Sequence, residues 1–243
     1  MIPARYDASR FPGKLMKNLG GEPVIVQTYR ATVNTSLFDE VYVVTDNELI
    51  FNAVVNSGGK AIRSTTDHQS GSDRIAEAVR QMDVDLVVNV QGDEPFAEKK
   101  SLSKLIAAFD QDQRKEIDLA SLMVRIIHKD EIQSPNTVKV ITDSNGLALY
   151  FSRYPIPFSR DSSADTQFFK HKGVYAFRKQ ALLDFQKLEP RLLELSEKIE
   201  CLRFLEHGRK IQMVETDVVG IEIDTPDDLV EAEKLWNRNT SPQ

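Results

Sequence analysis

The feature that most restricts this fold is an alternation, through the first half of the chain, of short apolar runs and capped amphipathic segments. "EVYVVTD" (40–46) is a buried-strand run ending in Thr45-Asp46, a pair able to cap the next segment. "NELIFNAVVNSGG" (47–59) has helical apolar spacing and stops at Gly58-Gly59, as helix ends often do. "KAIRST" is a short strand, "SGSDRIAEAVRQM" (70–82) a capped helix, and "VDLVVNVQGDEP" (84–95) a central strand that breaks into a loop. "EKKSLSKLIAAFDQ" (98–111) is another amphipathic helix. Strand and helix in strict turn imply an α/β fold with a parallel sheet and right-handed crossovers. In such sheets ligands sit at the carboxyl ends of the strands.

The second half changes style. "VKVITDSNGLALYFSR" (138–153) reads as two strands joined by Asp143-Ser144-Asn145-Gly146, a hairpin signal. "HKGVYAFRKQALLDFQKL" (171–188) runs strand into helix, "LLELSEKIECLRFLEHG" (192–208) reads as helix to Gly208, and "KIQMVET" (210–216) as a strand. "DTPDDLVEAEKLW" (224–236) opens with Thr225 as N-cap, Pro226 in the first helical position and Asp228 completing a capping box. The last seven residues are expected to fray. The hairpin suggests a small antiparallel lobe packed on the first half.

With 243 residues there is room for one α/β domain, or one with a smaller lobe. No apolar run approaches the ~18–20 residues needed to span a bilayer, and the N-terminus lacks the apolar core of a secretory signal. The single cysteine, Cys201, excludes an intrachain disulfide and fits a reducing cytoplasm. A net charge of -6 argues against nucleic-acid binding, so a cationic loop in this chain suits a small anion.

Five stretches offer chemistry. Arg5, Arg10 and Lys14 surround Pro12-Gly13 in a loop after a strand; arginine forks and a lysine point charge suit phosphate, although a solvated basic loop is the plainer alternative. The loop is no P-loop, having Ala8 where a glycine is needed and Leu15 where Ser or Thr is needed. Asp93, in "NVQGDEP", would project from the sheet's carboxyl edge as a ligand for Mg²⁺; alternatively Asp93 or Glu94 caps the next helix. Asp224 follows the strand-like "VVGIEI", and with Thr225 already capping, its carboxylate is free for another task. Ser70-Gly71-Ser72 opens a helix with N–H groups toward an anion, and Arg74 in that first turn is a misplaced cation pointing to a ligand or to an Asp73 or Glu77 partner. His171, Gly173 and Tyr175 alternate along one strand face.

Together these stretches resemble one family, the 3-deoxy-manno-octulosonate (Kdo) cytidylyltransferases, also called CMP-Kdo synthetases. The matching pieces run in order from residue 2 to 229: "IPARYDASRFPGK", "VYVVTD", "GGKAI", "HQSGSDRIAEAV", "VVNVQGDEPF", "NTVKVITDSNGLALYFSRYPIPF", "HKGVYAFRK", "EKIECLRFLEHG" and "IDTPDDL". The resemblance implies a glycosyltransferase-A-like α/β fold with a mostly parallel sheet and a Rossmann-like nucleotide-binding half. It implies one nucleotidyltransferase domain over 1–243, whose small antiparallel lobe, about 138–175, serves sugar binding and dimerisation. It further implies Mg²⁺ dependence, a homodimer, a cytoplasmic location, and no nucleic-acid or membrane partner. The reaction would be CTP plus Kdo giving CMP-Kdo and diphosphate, for lipopolysaccharide synthesis. By the same resemblance Arg5, Ser9, Arg10 and Lys14 would hold the triphosphate, and Ser70, Gly71, Ser72 and Arg74 would place the nucleotide. Asp93 and Asp224 would bind the metal, with Arg5 and Lys14 joining them in catalysis. Gln91, Arg160, His171, Tyr175 and Glu200 would line the sugar site, Arg160 facing the Kdo carboxylate.

The chemistry agrees with those roles. An anionic sugar acid attacking a triphosphate meets like-charge repulsion first, which a metal and three cations offset. Two departures bear on substrate. The family usually has small-Ser-Thr-Arg where this chain has Asp7-Ala8-Ser9-Arg10, and Glu-Gln-Leu-Arg where it has Glu200-Cys201-Leu202-Arg203. A thiol in place of an amide is a weak hydrogen-bonding partner, which leaves a modified Kdo or another sugar acid, such as a sialic acid, as the alternative substrate.

Overall fold

Short runs such as Val43-Val44 and Val87-Val88 are apolar on both pleat faces, which suits strands covered on both sides. The computed structural model describes residues 1–240 apart from Ser9, Asp67, Gln69, 162–164 and Val219. The chain divides into two compact units: Met1–Val84, Asn89–Leu102 and Val219–Gln243 make the first, and Asp85–Val88 with Ser103–Val218 the second.

The first unit begins with β1 (Ile2–Ala4), a short hairpin β2 (Asn18–Leu19) and β3 (Glu22–Pro23), and helix α1 (Val24–Asn34). It continues through β4 (Val43–Thr45), α2 (Glu48–Asn56), β5 (Ala61–Arg63) and α3 (Gly71–Val79). β1, β4 and β5 form a parallel sheet in the order β1-β4-β5, with Ala4 opposite Thr45 and Thr45 opposite Arg63. Their carboxyl ends therefore align, and Arg5, Asp46 and Ser64 start neighbouring loops. The α2 cap is Asn47, one residue past the expected pair: its Oδ1 accepts from Leu49 and Ile50 N–H at 3.0 and 3.2 Å. Thr45 is still within the ladder, and Asp46 is engaged by Arg74. Ser70 caps α3 as expected, accepting from Asp73 N–H at 3.2 Å.

β6 (Leu86–Asn89) and α4 (Lys99–Asp110) each carry the chain from one unit into the other. The second unit then adds β7 (Leu119–Arg125), α5 (Lys129–Gln133), β8 (Lys139–Thr142), β9 (Ala148–Ser152), β10 (Phe169–Arg178), α6 (Lys179–Phe185), α7 (Leu192–Glu197), α8 (Cys201–Glu206) and β11 (Ile211–Glu215). Its sheet runs β11-β7-β10-β8-β9, with β6 pairing β10; β11 is parallel to β7 and the β7–β10, β10–β8 and β8–β9 pairs are antiparallel. The parallel sheet and the hairpin read from sequence are both present, and antiparallel pairing extends through β7 and β10 beyond the small lobe expected over about 138–175. The 143–146 turn closes the β8–β9 hairpin, with Asp143 Oδ1 accepting from Asn145 and Leu147 N–H, both at 2.8 Å. β7, which carried no sequence expectation, runs through the middle of this sheet, six of its seven residues buried.

The expected single helix over 192–208 is broken. Lys198 adopts a left-handed conformation (φ 55°), ending α7. The freed carbonyls are taken by Arg153: its Nε donates to Glu197 O at 2.7 Å and its NH2 to Lys198 O at 3.4 Å. The Glu197 carboxylate in turn accepts from Ser152 Oγ and Arg153 N–H. α7 is tied to α8 by a buried fork-to-fork pair, Arg203 to Glu194 at 2.7 and 2.5 Å, with the guanidinium 4.2 Å over the Phe185 ring. Phe185 stacks on Phe204 beneath it.

The chain returns to the first unit in α9 (Pro226–Thr240), which includes 237–240, four of the seven residues expected to fray; 241–243 lie outside the described residues. The capping box forms: Asp228 N–H donates to Thr225 Oγ1 at 3.3 Å and Thr225 N–H to Asp228 Oδ2 at 2.7 Å. "VVGIEI", expected as a strand, joins no sheet among the described residues. Ile223 N–H instead donates to Asp93 C=O at 3.0 Å.

Lys139 is fully buried in the second unit, and its three ammonium protons go to the carbonyls of Ser134, Thr137 and Arg153. Desolvation holds its pKa below the ordinary value. Lys139→Met would orphan these acceptors together, so a loss of roughly 2–4 kcal/mol is expected in urea unfolding. A loss under about 1 kcal/mol would show that the three bonds contribute little.

Candidate active site

The opening loop is shaped by its backbone. Gly13 N–H donates to Tyr6 C=O at 3.0 Å and Lys14 N–H to Phe11 C=O at 3.1 Å. Gly13 is left-handed (φ 68°), a conformation that favours glycine, and from it a single 3₁₀ turn, Lys14–Met16, buries Leu15. Lys14 is thereby aimed at the acids. Its ammonium donates to Asp93 Oδ2 and, at 2.8 Å, to Asp224 Oδ1. Arg10 reaches the other Asp224 oxygen at 2.8 Å.

Asp93 arrives from the sheet edge. Val90 N–H donates to Met1 C=O, which lays the chain after β6 beside β1. Gly92 then presses so closely that an added Cβ would stand 3.1 Å from the Pro3 carbonyl oxygen. Neither Asp93 nor Glu94 caps a helix, since α4 starts only at Lys99. Asp224 arrives by a different route: the Ile223–Asp93 backbone bond docks its segment, and Asp228 Oδ2 accepts from its N–H at 3.0 Å. The cap thus orients the residue before it.

A third acid joins them that sequence reasoning missed. Ligand oxygens of Asp93, Glu222 and Asp224 all lie within 4.8 Å of one another. Desolvation, then the charges of Asp93, Glu94 and Asp224, push Glu222 up to about 8. For Lys14, partial burial works to lower the pKa, but the two aspartates outweigh it and raise it. The signal for Glu222 was the alternation in "IEID", which sets residues 222 and 224 on one side of an extended segment.

The remaining expected nucleotide residues divide. Arg5 is exposed, with no ion pair among the described residues, and Ser9 lies outside them. Ser70 and Gly71 open α3 and Ser72 is buried behind it. Arg74 is buried and pairs with Asp46 at 3.0 Å, not with Asp73 or Glu77, and its NH1 finds no acceptor among the described residues. Glu77 instead gathers the loop after β5, accepting from Ser64 Oγ at 2.8 Å, Thr65 N–H at 3.1 Å and His68 at 2.6 Å. Partial desolvation opposes the effect, yet these bonds hold Glu77 down at about 2.

Of the expected sugar residues, Gln91 lies in the first unit and donates to Asn89 Oδ1 at 3.3 Å. In the second unit His171 and Tyr175 come together, ring centroids 5.5 Å apart, with Phe151 edge-on to His171 at 5.1 Å. Cys201 Sγ lies 4.0 Å from His171 Nε2, and Glu200 immediately precedes α8. Arg160 is exposed and joins none of them through an ion pair or hydrogen bond among the described residues.

A parallel nucleotide-type sheet with acids and a lysine at its strand ends is the arrangement of a nucleotidyltransferase, and solved structures bear this out. A CMP:2-keto-3-deoxy-manno-octonic acid synthetase complexed with CTP superposes with a TM-score of 0.92 at 34% identity, covering 98% of this chain and 97% of that one. A 4-diphosphocytidyl-2C-methyl-D-erythritol synthase from Anaerococcus prevotii shares the fold alone, at 20% identity and a TM-score of 0.61. The family model described as cytidylyltransferase matches residues 1–211. A 3-deoxy-manno-octulosonate cytidylyltransferase of Christiangramia forsetii is 61% identical over 97% of this chain and 95% of its own length. One of Flavobacterium johnsoniae is 57% identical over 97% and 96%. The chain belongs to the 3-deoxy-manno-octulosonate cytidylyltransferase family.

Burial lowers His171 from 6.5 to about 4, so the folded chain keeps it neutral where an unfolded chain would protonate it. Its contribution to stability is complete above pH 6.5 and is lost as pH falls toward 4, by about 3 kcal/mol over that window. His171→Phe is expected to flatten this part of the pH profile in urea unfolding. Parallel profiles for the two proteins would contradict it.

Proposed function

We propose that this chain transfers CMP from CTP to the anomeric hydroxyl of Kdo and releases diphosphate. The observation that carries this reading is the convergence of Lys14 and Arg10 on Asp93 and Asp224, in a chain of this family. Arg10 and Lys14 bring positive charge to the side where diphosphate departs, and Arg5 is free to meet phosphate directly. Arg74 NH1 is the buried donor assigned to the nucleotide, behind the N–H groups that Ser70-Gly71-Ser72 offer at the start of α3.

The donor set fits Mg²⁺. It is oxygen-only, three carboxylates with no imidazole or thiol, and it already holds a lysine ammonium between two of its members. Asp93, Glu222 and Asp224 would hold the ion. When bound, Mg²⁺ would offset triphosphate charge and lower the pKa of the attacking hydroxyl. His171, Tyr175, Gln91, Arg160 and Glu200 are assigned to the sugar acid, Arg160 to its carboxylate.

The chain acts as a cytoplasmic homodimer in this reading. No helix among the described residues is long and apolar enough to cross a membrane. Six large apolar residues of the second unit, Ile127, Leu149, Tyr154, Phe158, Leu192 and Leu195, are 54–83% exposed and are assigned to the partner-facing surface in this reading. Light scattering is expected to give a two-chain mass, and Phe158→Asp to shift it toward one chain. A monomer at all concentrations would refute the dimer.

Diphosphate release measured with each nucleoside triphosphate, with and without Kdo and Mg²⁺, is expected only for CTP with both present. A sialic acid in place of Kdo is expected to give none. Asp93→Ala is expected to lower the rate on the order of 100-fold or more with an unchanged circular dichroism spectrum. Full activity in that variant would refute the metal assignment.

A further inference from the structure

β10 carries an irregularity beside His171. β10 pairs with β7 from Phe169 to Lys172 and again from Tyr175, and the register shifts between. Bulges of this kind re-aim side chains beside functional sites. Here the Lys172 and Val174 carbonyls converge on Ser121 Oγ, at 3.1 and 2.9 Å. The same oxygen lies 2.9 Å from His171 Nε2, and Ser121 is fully shut off from solvent.

A serine hydroxyl owns one proton, and carbonyls only accept. Were that proton given to Nε2, two carbonyl oxygens would face the Oγ lone pairs with no hydrogen between them. With the proton shared between the two carbonyls, Val174 being the nearer, Nε2 must carry its own hydrogen and donate it to Oγ, and each of the three contacts then has a hydrogen in it. We propose that Ser121 is a positioning residue that holds His171 as the Nε2–H tautomer, presenting the Nδ1 lone pair as acceptor for a hydroxyl of the sugar acid. This rests on the reading of His171 as a sugar contact.

The surroundings agree. Nδ1 has no hydrogen-bond partner among the described residues. Phe151 and Tyr175 fix the ring plane from two sides. Cys201 Sγ also lies near Nε2, at 4.0 Å, but a thiol is a weak partner in either direction and the Ser121 hydroxyl at 2.9 Å outweighs it. Burial keeps His171 neutral, as a tautomer must be.

The tautomer is read without substrate, by ¹⁵N–¹H long-range correlation of the full chain at pH 7.5, with His171→Phe identifying the peaks among four histidines. A protonated Nε2 and an unprotonated Nδ1 are expected; the reverse pattern overturns the proposal. Ser121→Ala is expected to mix the two forms and to raise the KM for Kdo about tenfold while leaving the KM for CTP unchanged. An unchanged KM for Kdo also overturns it. Should Ser121→Ala not fold, His171→Asn, whose amide oxygen can stand where Nδ1 stands, is expected to retain more Kdo affinity than His171→Leu. Equal losses count against the proposal. Absence of any transfer to Kdo by the unmodified chain would instead defeat the functional reading, and the substrate-free spectrum would still decide the tautomer.

Discussion

Everything in the first unit depends on one ammonium group held between two carboxylates. Asp93 and Asp224 come from segments far apart in sequence, and like charges at that separation repel. Lys14 opposes this repulsion directly, and Arg10 adds to it from the solvent side. A backbone bond, Ile223 N–H to the Asp93 carbonyl, fixes the distance independently of charge. Glu222 stands beside this balanced set, and desolvation first, then the charges of Asp93, Glu94 and Asp224, raise its pKa. In the reading proposed above, a further cation would share these carboxylates with Lys14, and phosphate would bring the opposite sign to the lysine and arginines.

The second unit solves a different problem, satisfying polar groups inside a mixed sheet. Lys139 and Arg153 both direct their donors to carbonyls of irregular backbone, and Ser121 does the same at the β10 bulge. Buried donors of this kind rigidify loops because every lost bond leaves an acceptor stranded. The same arrangement gives His171 a defined orientation before any substrate arrives. Arg203 and Glu194 play that part between α7 and α8, where geometry is fork to fork.

Much was legible in the residues. The helix beginning at Ser70 is capped and the Thr225–Asp228 capping box formed, both as read, because a cap is a local bond between neighbours. The 143–146 turn formed for the same reason. Where reading failed, a distant group had intervened. The helix over 192–208 broke where Arg153, on the strand side, takes the carbonyls of Glu197 and Lys198. Arg74 found Asp46 because parallel pairing of β1, β4 and β5 brings the end of β4 beside α3.

Composition and order alone determined the α/β class, the loops at strand ends where cations and acids gather, and the family, since these reside in local pattern and in motif succession. Only the folded chain decided that Glu222 stands with Asp93 and Asp224, that Asn47 rather than Thr45-Asp46 caps α2, and that Ser121 faces His171. The first and last of these are meetings of residues brought together by a single long-range backbone bond or by strand register, while the cap is local and its choice follows from where the β4 ladder ends. Sequence periodicity carries the face on which a side chain lies, but the partner across from it exists only once the strands have paired.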